Sequence, residues 1–256
     1  MANKILPILF TAAICAAALF SCKKNTTDNT DQTLNYFPVK VGKSVTYNVD
    51  SIVYSSTCFQ YETRTQLKYV ISDTFRDSKF RLSYIMDVYS RPNDGGEWWK
   101  SRVILLTPAT IVQTTTAPPP GTPLSSLLYN QDGSQFVKLV FPILQGLTWQ
   151  GNANIITSDP AYAYLKNWTY SYQDLHKSYN DGYVNYDNTV TVLEDNESVN
   201  YPHIDSALYA YRIYAKEVYA WNVGMVYKEW THWDYLPINH QCVSGYTVTM
   251  RAVDHN

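Results

Sequence analysis

Residues 66–90, QLKYVISDTFRDSKFRLSYIMDVYS, decide the fold. Leu67, Tyr69 and Ile71 stand at period two, and Arg76-Asp77-Ser78-Lys79 supplies turn chemistry. Phe80, Leu82, Tyr84, Met86 and Val88 then resume the alternation. Successive side chains of a strand point to opposite faces, so this spacing gives each arm one apolar face. The stretch is expected to form a long antiparallel hairpin.

The same pattern extends in both directions. Val45, Tyr47 and Val49 alternate with Thr46, Asn48 and Asp50. Pro92-Asn93-Asp94-Gly95-Gly96 is a turn, and Trp99, Ser101, Val103 and Leu105 line the strand after it. Residues 114–123, TTTAPPPGTP, form a Pro-rich loop in which no ladder can form. Further strands are expected over Phe136–Phe141, Trp168–Tyr172, Asn188–Leu193, Tyr209–Tyr219, Gly224–Tyr235 and Gly245–Val253. Gln145-Gly146, Asn180-Asp181-Gly182 and Glu194-Asp195-Asn196 are the turns between them. Tyrosine contributes 23 residues and aromatics 15% of the chain, which suits a pleated, half-buried surface. No stretch after residue 22 carries a capped 3.6-residue period. The expected fold is all-β: a curled antiparallel sheet or open β-barrel of sequential hairpins, with about ten to twelve strands. A two-sheet β-sandwich is the alternative.

One phrase occurs twice. Phe37-Pro38-Val39-Lys40-Val41-Gly42-Lys43-Ser44-Val45 matches Phe141-Pro142-Ile143-Leu144-Gln145-Gly146-Leu147-Thr148-Trp149 as F-P-[VI]-x-x-G-x-x-[VW]. Pro fixes φ before a turn, Gly turns the chain, and an apolar residue opens the next strand. Two related halves meeting near the 114–123 loop would produce this echo, and so would a chance match of four constrained positions.

The N-terminus has a separate logic. Lys4 precedes an apolar run from Ile5 to Phe20, which is too short and too interrupted by Pro7 and Thr11 to span a bilayer. It has the layout of a secretory signal. Leu19-Phe20-Ser21-Cys22 resembles the lipobox of bacterial lipoproteins. The resemblance implies removal of residues 1–21, with Cys15 among them, and acyl chains on Cys22. Two or three chains exceed the single one that binds membranes only marginally. The residue after Cys22 is not Asp, which resembles outer-membrane sorting, and acids arrive only at Asp28 and Asp31, so the periplasmic face is expected. Residues 23–33, KKNTTDNTDQT, carry no apolar side chain, so residues 22–33 are expected to be a flexible tether and 34–256 the β-rich domain.

Further phrases resemble uncharacterised lipoproteins of Bacteroidota. They are Tyr36-Phe37-Pro38-Val39-Lys40-Val41-Gly42 with the strand Tyr47–Tyr54, and Val140-Phe141-Pro142 with Trp149-Gln150-Gly151-Asn152. Tyr214-Ala215-Lys216 leading to Val223-Gly224-Met225-Val226-Tyr227-Lys228-Glu229 completes the set. This chain departs where Val45 replaces a usual aromatic and where the link Glu217–Asn222 is longer. The resemblance implies the envelope address and the β fold, and it carries no activity.

Cys58 and Cys242 remain in the mature chain. In an oxidising compartment a pair is expected to form one disulfide, tying the first strands to the last. Two buried free thiols are the other reading.

Catalytic signatures are missing: no nucleophile elbow, HExxH, P-loop or Rossmann glycines. The expected role is therefore non-catalytic, binding or envelope-structural, without a cofactor. A hydrolase whose carboxylates meet only in the fold is the alternative. His176, His203, His232, His240 and His255 have no metal-site spacing. Glu194-Asp195-Asn196-Glu197 offers oxygen ligands for Ca²⁺ or, more simply, a solvated turn. The formal charge of −2, with no basic block beyond Lys23-Lys24, excludes nucleic acid as a partner. Trp98-Trp99 and Trp230/Trp233 are the candidate ligand contacts. Adjacent residues face opposite sides of a sheet, so one of each pair is exposed or lines a cavity. A glycan or an apolar molecule would suit such aromatics, although burial on both faces of a curved sheet also accounts for them.

Overall fold

The computed structural model describes residues 34–256, apart from 56, 110–113, 117, 123, 202–205 and 239–241. The signal segment 1–21, Cys22 and the tether 22–33 lie outside the described residues, as do His203 and His240. The described strands are β1 (Ser44–Tyr54), β2 (Gln60–Arg76), β3 (Leu82–Pro92), β4 (Trp99–Ala109), β5 (Ser125–Gln131) and β6 (Ser134–Phe141). They continue as β7 (Thr148–Trp149), β8 (Tyr170–Asn180), β9 (Asn185–Val199), β10 (Ala210–Ala220), β11 (Gly224–Tyr235) and β12 (Val243–His255). Two short 3-10 turns, Leu34–Tyr36 and Pro160–Leu165, are the described helical elements.

All twelve strands join one antiparallel sheet in the order β6-β5-β4-β3-β2-β1-β12-β11-β10-β9-β8-β7. Consecutive strands pair throughout except β6 and β7, and β1 also ladders to β12 from Val45↔His255 to Tyr54↔Gly245. The first and last strands are thus interior, and the edges are the consecutive β6 and β7. Those edges meet through single contacts. The Val137 N–H donates to the Gly151 carbonyl at 2.8 Å, and the Trp149 indole N–H donates to the Val137 carbonyl at 2.8 Å. The Tyr172 hydroxyl accepts from the Val140 N–H and donates to the Val140 carbonyl, both at 2.8 Å. The sheet is a barrel, nearly closed, with one unladdered seam. It is the open barrel of hairpins, not the sandwich.

Alternation fills the barrel's inside. Tyr47 lies opposite Leu67, Ile71 opposite Met86, and Met86 opposite Ile104, all on one apolar face. In a meander, connections after odd strands gather at one end and those after even strands at the other. The segment before β1 closes the even end: Tyr36 packs edge-on to Trp221 at 5.1 Å, and the Asn222 N–H donates to the Asn35 carbonyl. The β7–β8 connection covers the odd end. There Trp168 is buried against Trp230 at 5.3 Å, and Tyr164 stacks on His232 at 4.2 Å. Cys58, in the β1–β2 turn, is joined to Cys242, just ahead of β12, across 184 residues with Cα atoms 5.1 Å apart. That separation is within the range a disulfide spans.

The repeated phrase occupies matching corners. Its first copy opens β1 and its second opens β7. Gly42 and Gly146 have φ of +90° and +75°, the left-handed region that favours glycine. Their N–H groups donate to Ile71 in β2 and Tyr172 in β8, whose own N–H groups donate back to Lys43 and Leu147. The echo is thus matched bond for bond.

Some boundaries fall elsewhere than expected. Phe80 belongs to the turn, 80% exposed with φ of 60°, because the Asp77 carboxylate takes the N–H groups of Lys79 and Arg81 and extends the turn. Glu194-Asp195-Asn196 is no turn. It lies inside β9, at a bulge where the register with β10 shifts between Ala215 and Lys216. Trp168 precedes its strand, and β5 has no counterpart among the expected strands.

Candidate functional site

Four charged side chains meet inside the barrel. Lys138 on β6 donates to Glu194 Oε1 at 2.5 Å and to Glu217 Oε1 at 2.8 Å. Lys228 on β11 adds a bond to Glu217 Oε1 at 2.9 Å, and the Tyr219 hydroxyl donates to Glu217 Oε2 at 2.5 Å. The side chains of Lys138, Glu194 and Glu217 are 6%, 0% and 3% exposed. Burial opposes the charged form of Glu217, but Lys138 and then Lys228 overcome it and hold its pKa below the usual carboxylate range. For Glu194, burial and then the charge of Glu217 win, and the pKa rises. Its Oε2 is buried without a hydrogen-bond partner. Burial also lifts the neighbouring Asp195 to about 6. Sequence reasoning missed this network. The available signal was a lysine inside the apolar run Phe136–Phe141, in phase with Phe136 and Val140.

A narrow cleft leads from the even end, past Phe37 and Lys43, to Lys138, Glu217 and the rings of Tyr47 and Tyr219. Its volume of about 50 Å³ holds roughly three to five waters. Ligand pockets run to several hundred Å³. Trp149, Tyr47, Tyr170, Tyr172 and Tyr219 fill the rest of the lumen. An apolar guest in the sheet's concavity therefore meets a packed interior. Glu194 does not line the cleft.

The larger opening is outside the barrel. β8 pairs with β9 at Gln173↔Thr191 and next at Lys177↔Thr189, so residues 174–176 are thrown out of the ladder. Asp174 and His176 take φ of 49° and 58° to do so. The bulge is held from behind: Leu175 N–H donates to Gln145 Oε1 at 3.1 Å, and His176 Nδ1 lies 3.0 Å from the Tyr36 hydroxyl. Beside it runs a groove of about 400 Å³, walled by Gln173, Ser178, Tyr179, Leu193, Tyr214 and Lys216. The Lys216 ammonium sits 4.9 Å from the Tyr227 ring centre, 5.7 Å from Tyr179 and 6.0 Å from Tyr214. Such a wall of aromatic faces, hydroxyls, an amide, the Lys177–Asp174 pair and the Lys216 cation can hold a polar ring; among its described residues there is no hydrogen-bonded nucleophile–base pair.

The four tryptophans are not gathered. Trp98 is half-buried under Arg91, whose guanidinium is 4.3 Å above the ring, and Trp99 is 51% exposed. Trp230 is half-buried between Trp168 and Lys228, and Trp233 is half-buried on the opposite face of β11. β12, β1, β2 and β3 separate β11 from β4. Among the described residues no group of three or more His, Cys, Asp or Glu side chains could hold a metal ion, and no helix is long and apolar enough to cross a membrane.

No family model and no curated protein matches the chain. One solved structure is similar: a protein of Bacteroides fragilis NCTC 9343, described as a presumed exported protein with a YmcC-like fold. It is 12% identical, and the alignment covers 85% of this chain and 98% of that one at a TM-score of 0.31.

Proposed function

We propose that this chain is a non-catalytic envelope lipoprotein, held in a bacterial outer membrane by acyl chains on Cys22, that binds a saccharide on its outer wall. The groove beside the β8 bulge carries the reading: it is open, and tyrosine faces and polar side chains line it. Aromatic faces pack against the C–H faces of sugars, while hydroxyls and amides match their oxygens. The buried carboxylates are tied up by Lys138 and Lys228, and the cleft that reaches Glu217 holds only a few waters. The signal, the lipobox and a disulfide suited to an oxidising compartment support the address.

Native mass spectrometry of the protein drawn from its own envelope, followed by a glycan array, tests the binding. Retained saccharides, lost on Tyr214→Ala with an unchanged melting temperature, are expected. If no glycan binds and Tyr214→Ala alters stability alone, a purely structural role replaces this one. Cys22→Ser should release the protein from the membrane fraction, and an unchanged fraction would sink the anchor.

A further inference from the structure

We infer that the groove selects acidic saccharides, through Lys216; this rests on the saccharide reading above. Lys216 makes no ion pair and no side-chain hydrogen bond among the described residues. Glu229 lies across the ladder from it, but that carboxylate accepts from the Tyr227 hydroxyl at 2.9 Å. Asp174, the carboxylate in the groove wall, is engaged by Lys177 at 2.8 Å. Lys216 is thus the groove cation in direct contact with no carboxylate: Glu229 faces it across the ladder without an ion pair, and Lys177 is spent on Asp174. Three tyrosine rings surround that cation, which limits the freedom it loses when it binds. Gln173 and Ser178 also make no side-chain hydrogen bond among the described residues, so their polar atoms are free for sugar hydroxyls. A carboxylate or sulfate on a sugar ring would meet the ammonium as a charge-assisted hydrogen bond, stronger than any contact a neutral ring makes there.

The test is a glycan array carrying neutral, uronate-containing and sulfated saccharides, probed with the wild-type protein, Lys216→Met and Lys216→Arg. Thermal melts confirm that each variant is folded. Acidic probes are expected to be held about tenfold more tightly than neutral ones. That preference should vanish in Lys216→Met, persist in Lys216→Arg and weaken in high salt. The uronate and sulfate arms tell which acid is preferred. Neutral probes held as well as acidic ones, or acidic binding unchanged in Lys216→Met, would overturn the inference and leave the saccharide reading intact. Binding of no probe at all would overturn both.

Discussion

Lys138 shows what one residue can hold. From β6 it reaches carboxylates on β9 and β10, strands from the other side of the seam. Replacing it by Met would leave Glu194 and Glu217 buried with less positive charge, and removing one partner of a buried pair costs about 3–5 kcal/mol. Urea denaturation should show that loss. Lys138→Met combined with Glu194→Leu should recover most of it, since Glu217 keeps Lys228 and Tyr219. Asp195 answers to pH. Its folded pKa of about 6 lies above the ordinary aspartate value of 3.8, so the folded state binds the proton more tightly. That contribution is complete below the unfolded value and lost as pH rises through the folded one. Asp195→Asn should therefore raise the melting temperature above pH 6 and change it little below pH 4, a difference that calorimetry at both pH values would measure.

Elements with an unbroken period were legible from residue types alone. In β1–β3 and β10–β12, side chains at i and i+2 share the lumen, and the apolar alternation reports that directly. It fails where a bulge changes the phase. In β9 Glu194 follows Val190 and Val192 inward and the bulge shifts the phase after it, so an acidic run that resembles a solvated turn is ladder. In β8 three residues leave the ladder, and the tyrosines of the groove come together through strand neighbours far apart in sequence. Face alternation singles out one exposed member of the Trp98-Trp99 pair, but it does not say which strands will be adjacent. The seam is another place where a side chain takes over a ladder's work. Tyr172→Phe removes both hydrogen bonds to Val140 and leaves a buried N–H and C=O unpartnered, at about 1–3 kcal/mol for each group. Chemical denaturation should show a loss of at least the lower value.

The whole molecule is a ring with two unequal joints. At one, β1 and β12 share a full ladder and a disulfide; at the other, β6 and β7 meet through a few bonds. Hydrogen exchange should find the β6 and β7 amides exchanging soonest and those of the β1–β12 ladder last. Cys58→Ser with Cys242→Ser should lower stability by about 2–5 kcal/mol. A chain held by its N-terminal side feels any tug first at Asn35 and Tyr36 and then at Ser44, the even end of β1, where rungs to β2 and β12 would unzip one after another. The disulfide lies at the far end of that same strand. Load that has opened every rung of β1 still arrives at a covalent stop, so the strand can be peeled but not drawn free of β12.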